Sequence, residues 1–308
     1  MKRLRFLIPF FALLFAQCVD NQSDKDKHVD PPVVITSDTL APGEWFCSSI
    51  ETYPLDANKK QRAVGGKNKF WPTAKVLKIG FIGGTVAQRD AVKLYAPEWT
   101  QSANLKFDFA AVGPYDIRIA FSSSNGAWSY VGTDNSLVTN QSTPTMNLGW
   151  IGRDVICHEF GHAIGLFHEH QNPNGGICYN EDKVIADLSG PPNNWTVAMI
   201  RFNVLDKFNP AEVLTTPWDK VSVMHYNIPA RWTCNNTAIP GGTTISQTDK
   251  DFVRIRYPGV NPPTTDITLT SSQVDNIVAL LNARQIESDT NAARIRRAVG
   301  DVKKILKR

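Results

Sequence analysis

Four of the six histidines of this 308-residue chain lie within thirteen residues, and their spacing constrains the fold more than any other feature. His158 and His162 are four residues apart, so on an α-helix both imidazoles point to the same side from adjacent turns. His168 follows six residues later, where a continued helix would carry it about 120° around the axis. Gly165 lies between them and can adopt the left-handed conformation that ends a helix. The sequence therefore predicts a helix that stops near Gly165 and a reversal that returns His168 to the other two imidazoles.

This arrangement has the composition of a catalytic zinc site. Such a site uses three protein ligands and keeps a fourth position for water, and His158, His162 and His168 would supply the three. Glu159 would hydrogen-bond that water, whose pKa zinc lowers to about 7, and would act as the general base. The alternative is that the histidines only pack or cap a helix, which the offsets of Gly165 and His168 disfavour. We expect one catalytic Zn²⁺.

The segments around the histidine cluster predict a sheet backed by helices. Residues 75–84, 106–112 and 116–122, and the segments SYVG and TMNLGW, are short apolar or alternating runs between turn residues. Helical spacing covers residues 85–104, about 153–165, 194–206 and 247–256. Residues 171–193 are rich in Pro, Gly and Asn and are predicted to be irregular. We expect an α/β domain over residues 63–259 whose part after Gly165 is irregular.

The first residues are typical of an export signal. A basic start precedes an apolar run, residues 6–16, that is too short for a permanent membrane span, so residues 1–17 are predicted to be a signal peptide. Cys18 resembles a bacterial lipoprotein processing site and would carry a lipid anchor; ordinary cleavage nearby, giving a secreted protein, is the alternative. Residues 18–62 are polar and end in a basic run, which predicts a tether and pro-segment. Positive charge is concentrated at the two ends of the chain, so nothing indicates a nucleic-acid partner.

The segment from His158 to Glu169 resembles the metzincin motif of zinc peptidases. Within that clan the residue after the third histidine separates the families, and Glu169 makes the segment similar to the astacin signature, as found in bacterial members of that family. A second segment, Ser222-Val223-Met224-His225-Tyr226, is similar to the astacin Met-turn. The resemblance implies the metzincin fold, with a twisted, mostly parallel sheet, an active-site helix and an irregular lower subdomain.

The same resemblance implies roles for three further residues. Met224 would pack beneath the zinc ligands. Tyr226 would approach the metal as an extra ligand and swing out to stabilise the tetrahedral intermediate, a role that its phenol suits on physical grounds. Glu169 would pair with the new N-terminus formed when cleavage after Arg62 removes the pro-segment. For His225 we expect a structural hydrogen bond.

The cysteines raise two further expectations. Cys178 and Cys234 lie in loops that flank the site and are the expected disulfide, although four cysteines besides Cys18 allow three pairings. Cys47 precedes the expected cleavage site, and the pro-segment lacks the Phe-x-Gly-Asp aspartate of animal astacins. A thiolate is a good zinc ligand, so Cys47 would occupy the fourth zinc position in a latent precursor. The alternative is a disulfide from Cys47 to a domain cysteine such as Cys157.

These features together predict an exported, monomeric zinc metalloendopeptidase that cuts protein or peptide substrates internally. The substrate would lie extended along an edge strand near residues 125–148. One alternative is a non-catalytic zinc-binding adhesion module on the same fold, which would not need Glu159; another metzincin family is disfavoured by Glu169 and the Met-turn. Residues 260–308 are predicted to be a linker and a helical tail, either folded back on the domain or free for self-association.

Overall fold

The apolar segments before the histidine cluster form a mostly parallel sheet. The computed structural model describes residues 47–50, 65, 68–211, 213–259 and 270–283. Within them the strands are β1 (Ser48–Ile50), β2 (Val76–Ile82), β3 (Lys106–Asp108), β4 (Ile117–Ala120), β5 (Ala127–Tyr130) and β6 (Met146–Leu148). They are ordered β1-β5-β6-β4-β2-β3, and every pair is parallel except β5 with β6. The predicted α/β class is confirmed.

In the part of the chain that the structure describes, six α-helices accompany the sheet: α1 (Val86–Tyr95), α2 (Arg153–Ala163), α3 (Glu181–Ser189), α4 (Val197–Ile200), α5 (Gln247–Arg256) and α6 (Ser271–Ala283). A π-helical turn, Arg201–Leu205, continues α4. Both α1 and α5 begin with a capping box, in which the side chains of the N-cap residue and the third helical residue bond each other's backbone N–H groups. The pairs are Thr85 with Gln88 and Ser246 with Asp249.

The part of the chain after Gly165 is more ordered than the sequence predicts. Helix α3 lies inside the segment expected to be irregular, so that expectation is wrong for residues 181–189. Asn180 caps the helix by accepting a hydrogen bond from the Lys183 N–H, and Val184 and Leu188 are fully buried four residues apart. Together with Trp195 and neighbouring side chains they form a second hydrophobic core, separate from the core between the sheet, α1 and α2.

The C-terminal segment is partly described. Helix α6 packs against α1: Ile277 is fully buried in the main core, and the Gln273 side-chain amide donates a hydrogen bond to Asp90. This part of the tail therefore folds back on the domain. The predicted second helical stretch, the signal peptide, Cys18 and most of the tether and pro-segment lie outside the described residues. Among the described residues, none of the helices is long and apolar enough to cross a membrane.

Cys178 and Cys234 form a disulfide, as predicted. Cys47 and Cys157 are both free thiols, so the alternative pairing of Cys47 with Cys157 is not formed.

Candidate metal centre

Helix α2 carries the first two histidines and ends where the sequence predicts. The Trp71 indole donates a hydrogen bond to the Ala163 carbonyl (2.9 Å), and the Tyr257 hydroxyl donates one to the Ile164 carbonyl (2.6 Å). These bonds satisfy carbonyl groups that a helix end leaves without partners. Gly165 follows with a φ of 101°, which a residue with a side chain rarely adopts. The chain turns there and returns toward the helix.

The turn brings three imidazoles together. His162 Nε2 lies 3.1 Å from His158 Nε2 and 3.1 Å from His168 Nε2. A tetrahedral zinc ion with Zn–N distances of about 2.0–2.1 Å would place its ligand nitrogens roughly 3.3 Å apart, close to this spacing. All three histidines are buried. The donor set therefore fits zinc.

Main-chain carbonyls orient two of these rings. His158 Nδ1 lies 2.7 Å from the Val223 carbonyl oxygen, and His162 Nδ1 lies 2.9 Å from the Leu166 carbonyl oxygen. A carbonyl only accepts, so each Nδ1 carries the proton and leaves the Nε2 lone pair free to bind a metal. His168 Nδ1 has no hydrogen-bond partner within the described part of the chain. Burial lowers the pKa of His158 to about 4, which keeps it in the neutral form that metal binding requires.

Glu159 lies beside the three imidazoles and is fully buried. Its Oε1 atom accepts a hydrogen bond from the Cys47 thiol (2.8 Å), and its Oε2 atom has no partner among the described residues. Burial raises the pKa of this carboxyl above its ordinary value. A carboxyl in such a site is suited to take up a proton.

The Cys47 sulfur completes a group of four donor atoms, from Cys47, His158, His162 and His168, that all lie within 4.8 Å of one another. It is 3.9 Å from His162 Nε2. The strand β1 that follows Cys47 pairs with β5 in parallel, with Ser48 opposite Trp128. This segment therefore covers the edge of the sheet where a substrate was expected.

The Met-turn lies directly beneath α2. A Cβ atom on Gly161 would lie 2.3 Å from Met224 Sδ, so only glycine permits this contact. Asp249 of α5 holds the turn: its carboxylate accepts hydrogen bonds from the Ser222 hydroxyl (2.7 Å) and the Val223 N–H (3.0 Å). The Ser222 hydroxyl in turn accepts from the Met224 N–H (3.0 Å). The sequence analysis assigned Asp249 no role at the site, although this residue is part of the capping box that begins α5.

Tyr226 lies among the histidine rings. Its ring centroid is 4.4 Å from that of His168, and its hydroxyl donates a hydrogen bond to the Cys47 carbonyl. His225 donates from Nδ1 to the Tyr226 carbonyl (2.7 Å) and lies beside Trp218, in a structural position. His170, to which the sequence assigned no role, stacks on Tyr226 at 4.2 Å.

Glu169 is buried one residue after His168. Its Oε1 atom accepts hydrogen bonds from the Asn172 amide (2.8 Å) and the Asp219 N–H (2.9 Å). Burial raises the pKa of this carboxyl to about 8 despite these two donors. Within the described ranges no Lys or Arg side chain forms an ion pair with it.

Comparison with known proteins identifies the family. The family model described as astacin, peptidase family M12A, matches residues 63–251, which is more than half of the chain. The chain belongs to the astacin family of zinc metalloendopeptidases. The predicted resemblance is therefore confirmed, and proteins of this family use one catalytic zinc ion.

Individual relatives agree with this assignment. A solved structure of myroilysin is 34% identical, superposes with a TM-score of 0.60, and corresponds to 64% of this chain and 98% of that one. A second myroilysin structure is 31% identical, with a TM-score of 0.53, over 73% of this chain and 97% of that one. Zinc metalloproteinase nas-38 of Caenorhabditis elegans is 29% identical over 183 residues, 58% of this chain. This astacin spans only 23% of the length of nas-38, so the similarity is confined to the shared domain.

Proposed function

We propose that this astacin is an exported zinc metalloendopeptidase that hydrolyses internal peptide bonds of proteins or peptides and is made as a latent precursor. The observation that carries the proposal is the convergence of three imidazole Nε2 atoms beside the buried carboxyl of Glu159. Family membership supports the reaction class.

In this proposal His158, His162 and His168 hold the zinc ion. Bound there, zinc would polarise the substrate carbonyl and lower the pKa of a water molecule to about 7. Glu159 takes the proton from that water as it attacks the peptide carbonyl, and delivers the proton to the leaving amine nitrogen. Its burial supports this role, because a carboxyl with a raised pKa binds the transferred proton readily.

Tyr226 is proposed to stabilise the oxyanion. A phenol hydroxyl that donates a hydrogen bond where negative charge develops lowers the barrier of acyl transfer. In the structure this hydroxyl already donates to a peptide carbonyl, that of Cys47. The contact shows that the phenol reaches a peptide carbonyl oxygen at this site.

Latency is proposed to depend on Cys47. Its sulfur lies with the three histidine nitrogens as a fourth donor, and its thiol hydrogen-bonds the proposed general base. Its carbonyl engages Tyr226, and β1 lies along β5. Cys47 therefore contacts Glu159 and Tyr226 and lies among the zinc donors, while the strand that follows it occupies the edge of the sheet. Removal of the pro-segment would free all of these groups. The substrate would then take the place of β1 along β5.

Processing after Arg62 is proposed to create an N-terminus at Ala63 that pairs with Glu169. In support of this, Glu169 is buried without a cationic partner among the described residues, and an ammonium group would supply one. Mass spectrometry of the mature protein tests the cleavage site. It also tests whether the N-terminus carries lipid at Cys18 or comes from ordinary signal cleavage. A monomeric enzyme is expected in either case.

The competing function is a non-catalytic zinc-binding adhesion module. Casein hydrolysis by the processed protein distinguishes the two. We expect the processed protein to hydrolyse casein, a chelator to abolish this activity, and added zinc to restore it. We expect Glu159→Gln to abolish hydrolysis while the zinc content stays at one ion per chain. A zinc-loaded wild-type protein that cleaves neither casein nor a peptide library would favour the adhesion module.

A further inference from the structure

His170 lies two residues beyond the third histidine but outside the group of converging donor atoms. The group that could hold a metal comprises Cys47 and three other histidines. His170 is 1% exposed, and its ring lies nearly parallel to that of Tyr226, at 25° with the centroids 4.2 Å apart. Offset stacking of aromatic rings is favourable beyond the burial of area, so it favours one orientation of the neighbouring ring.

The His170 ring is itself held by a hydrogen bond at its edge. Its Nε2 atom donates to the Asn203 carbonyl oxygen at 2.9 Å. Asn203 belongs to the π-helical turn, and the adjacent Gln171 amide donates to the Phe202 and Asp206 carbonyl oxygens, both at 2.7 Å. Two successive side chains thus bond carbonyls in and beside the π turn. Such turns often occur at functional sites.

Two other imidazoles lie near the Tyr226 ring, and both belong to proposed zinc ligands. The His168 ring is tilted by 55° to the Tyr226 ring at 4.4 Å, and the His158 ring is nearly parallel to it, at 29°, but 6.0 Å away. Among these three rings His170 is therefore the one that is both nearly parallel to the phenol ring and in close contact with it. The Tyr226 hydroxyl has to be placed within a few tenths of an ångström of a developing oxyanion, and a misplacement of about 1 Å can reduce the rate about 100-fold.

We propose that His170 is a positioning residue for Tyr226: its ring, tied to the π-helical turn through the Asn203 carbonyl, sets the plane in which the phenol approaches the substrate. This inference rests on the proposed peptidase function. His170 does not touch the reacting atoms and does not act as a catalytic residue.

The test uses processed, zinc-loaded enzyme with His170→Ala, which removes the ring, and His170→Phe, which keeps a ring surface without the donor. We expect His170→Ala to lower kcat about 10- to 100-fold while KM changes less than about twofold, and His170→Phe to recover part of the loss. Phe208→Leu removes another buried aromatic ring, packed on Phe167 at 5.4 Å, and is the control for general loss of stability. The proposal would be overturned if His170→Ala changed mainly KM. It would also be overturned if Phe208→Leu, compared at matched thermal stability, lowered kcat as much as His170→Ala.

A double-mutant cycle with Tyr226→Phe shows whether His170 acts through the hydroxyl. In the Tyr226→Phe background, His170→Ala should lower kcat less than about twofold further, because the group that it positions is gone. Multiplicative losses would overturn the proposal.

A readout independent of activity separates this inference from the proposed function. In fluorotyrosine-labelled protein, the ¹⁹F resonance assigned through Tyr226→Phe should be single and sharp in the wild type. His170→Ala should shift and broaden it, and His170→Phe should restore most of the line shape. An unchanged resonance in His170→Ala would refute the positioning role even if the wild type proved to have no peptidase activity.

Discussion

The hydroxyl of Tyr226 donates a hydrogen bond to the main-chain carbonyl oxygen of Cys47. The two residues are 179 positions apart in the chain. The contact is made by the backbone of Cys47, while its side chain lies against Glu159. The proposed latency would therefore depend on the Cys47 main chain as well as on its thiol, since a change of the Cys47 side chain leaves the carbonyl in place.

Replacing Cys47 should restore only part of the peptidase activity to the precursor. In intact Cys47→Ala precursor the fourth donor and the hydrogen bond to Glu159 are lost, so peptide cleavage should become measurable. Tyr226 would still be engaged by the residue 47 carbonyl, so kcat should stay about 100-fold or more below that of the mature enzyme. Cleavage of a fluorogenic peptide, with mass spectrometry to verify an intact chain, measures this, and Cys157→Ala is the control. Full activity in the intact Cys47→Ala chain, or none, would contradict the expectation.

Glycine at position 161 should be required for the Met-turn to pack. In Gly161→Ala the new Cβ would lie 2.3 Å from Met224 Sδ and 3.0 Å from Trp99, so one of them must move. Overpacking of this kind lowers the free energy of unfolding by about 1–3 kcal/mol. Thermal unfolding and zinc content measure the effect. Gly176→Ala is the matched control because its Cβ would meet nothing within 4 Å. Equal melting temperatures for the two variants would show that the contact is relieved without cost.

Glu169→Gln should distinguish the mature enzyme from the precursor. In the precursor burial raises the carboxyl pKa to about 8, so the group is mostly protonated at pH 7 and glutamine is a close substitute whose oxygen can accept from the same two donors. In the mature form the proposed ammonium partner would be left without a counter-charge, which costs about 3–5 kcal/mol when both groups are buried. Chemical denaturation of both forms at pH 7 measures the difference. If Glu169→Gln lowered the free energy of unfolding equally in the precursor and in the mature form, Glu169 would not be paired with the N-terminus.

Removing the disulfide should destabilise the lower part of the domain. Cys178 and Cys234 are 56 residues apart, and closing a loop of that length stabilises a protein by about 4 kcal/mol in the chain-entropy model. The Cys178→Ala/Cys234→Ala variant should therefore unfold at lower denaturant concentration. Cys157→Ala, which keeps the disulfide, is the control. A midpoint unchanged from the wild type would mean that the loops retain their structure without the bond.

Local spacing was sufficient to predict much of the fold and of the metal centre. The helical period places His158 and His162 on one face at adjacent turns, and Gly165 ends the helix because its φ is open only to glycine without strain. The predicted bounds of α5 agree with the structure at both ends, and its capping box, which lies in consecutive residues, marks the first end. Helix α3 was missed because the Pro, Gly and Asn around it outweighed its short apolar pattern, although Asn180 marks its start.

The sequence by itself determined which residues can share a helix face, where that helix stops and which of its side chains suit zinc, because backbone geometry sets these within a few residues. Only the tertiary structure decided the contacts across long separations: the Cys47 thiol on Glu159, the Asp249 carboxylate under the Met-turn, and the Asn203 carbonyl that fixes His170. The local spacing of residues in the sequence does not predict these contacts. They depend on how the sheet, the two cores and the segment before the domain pack together, and many distant partners would satisfy the same local pattern.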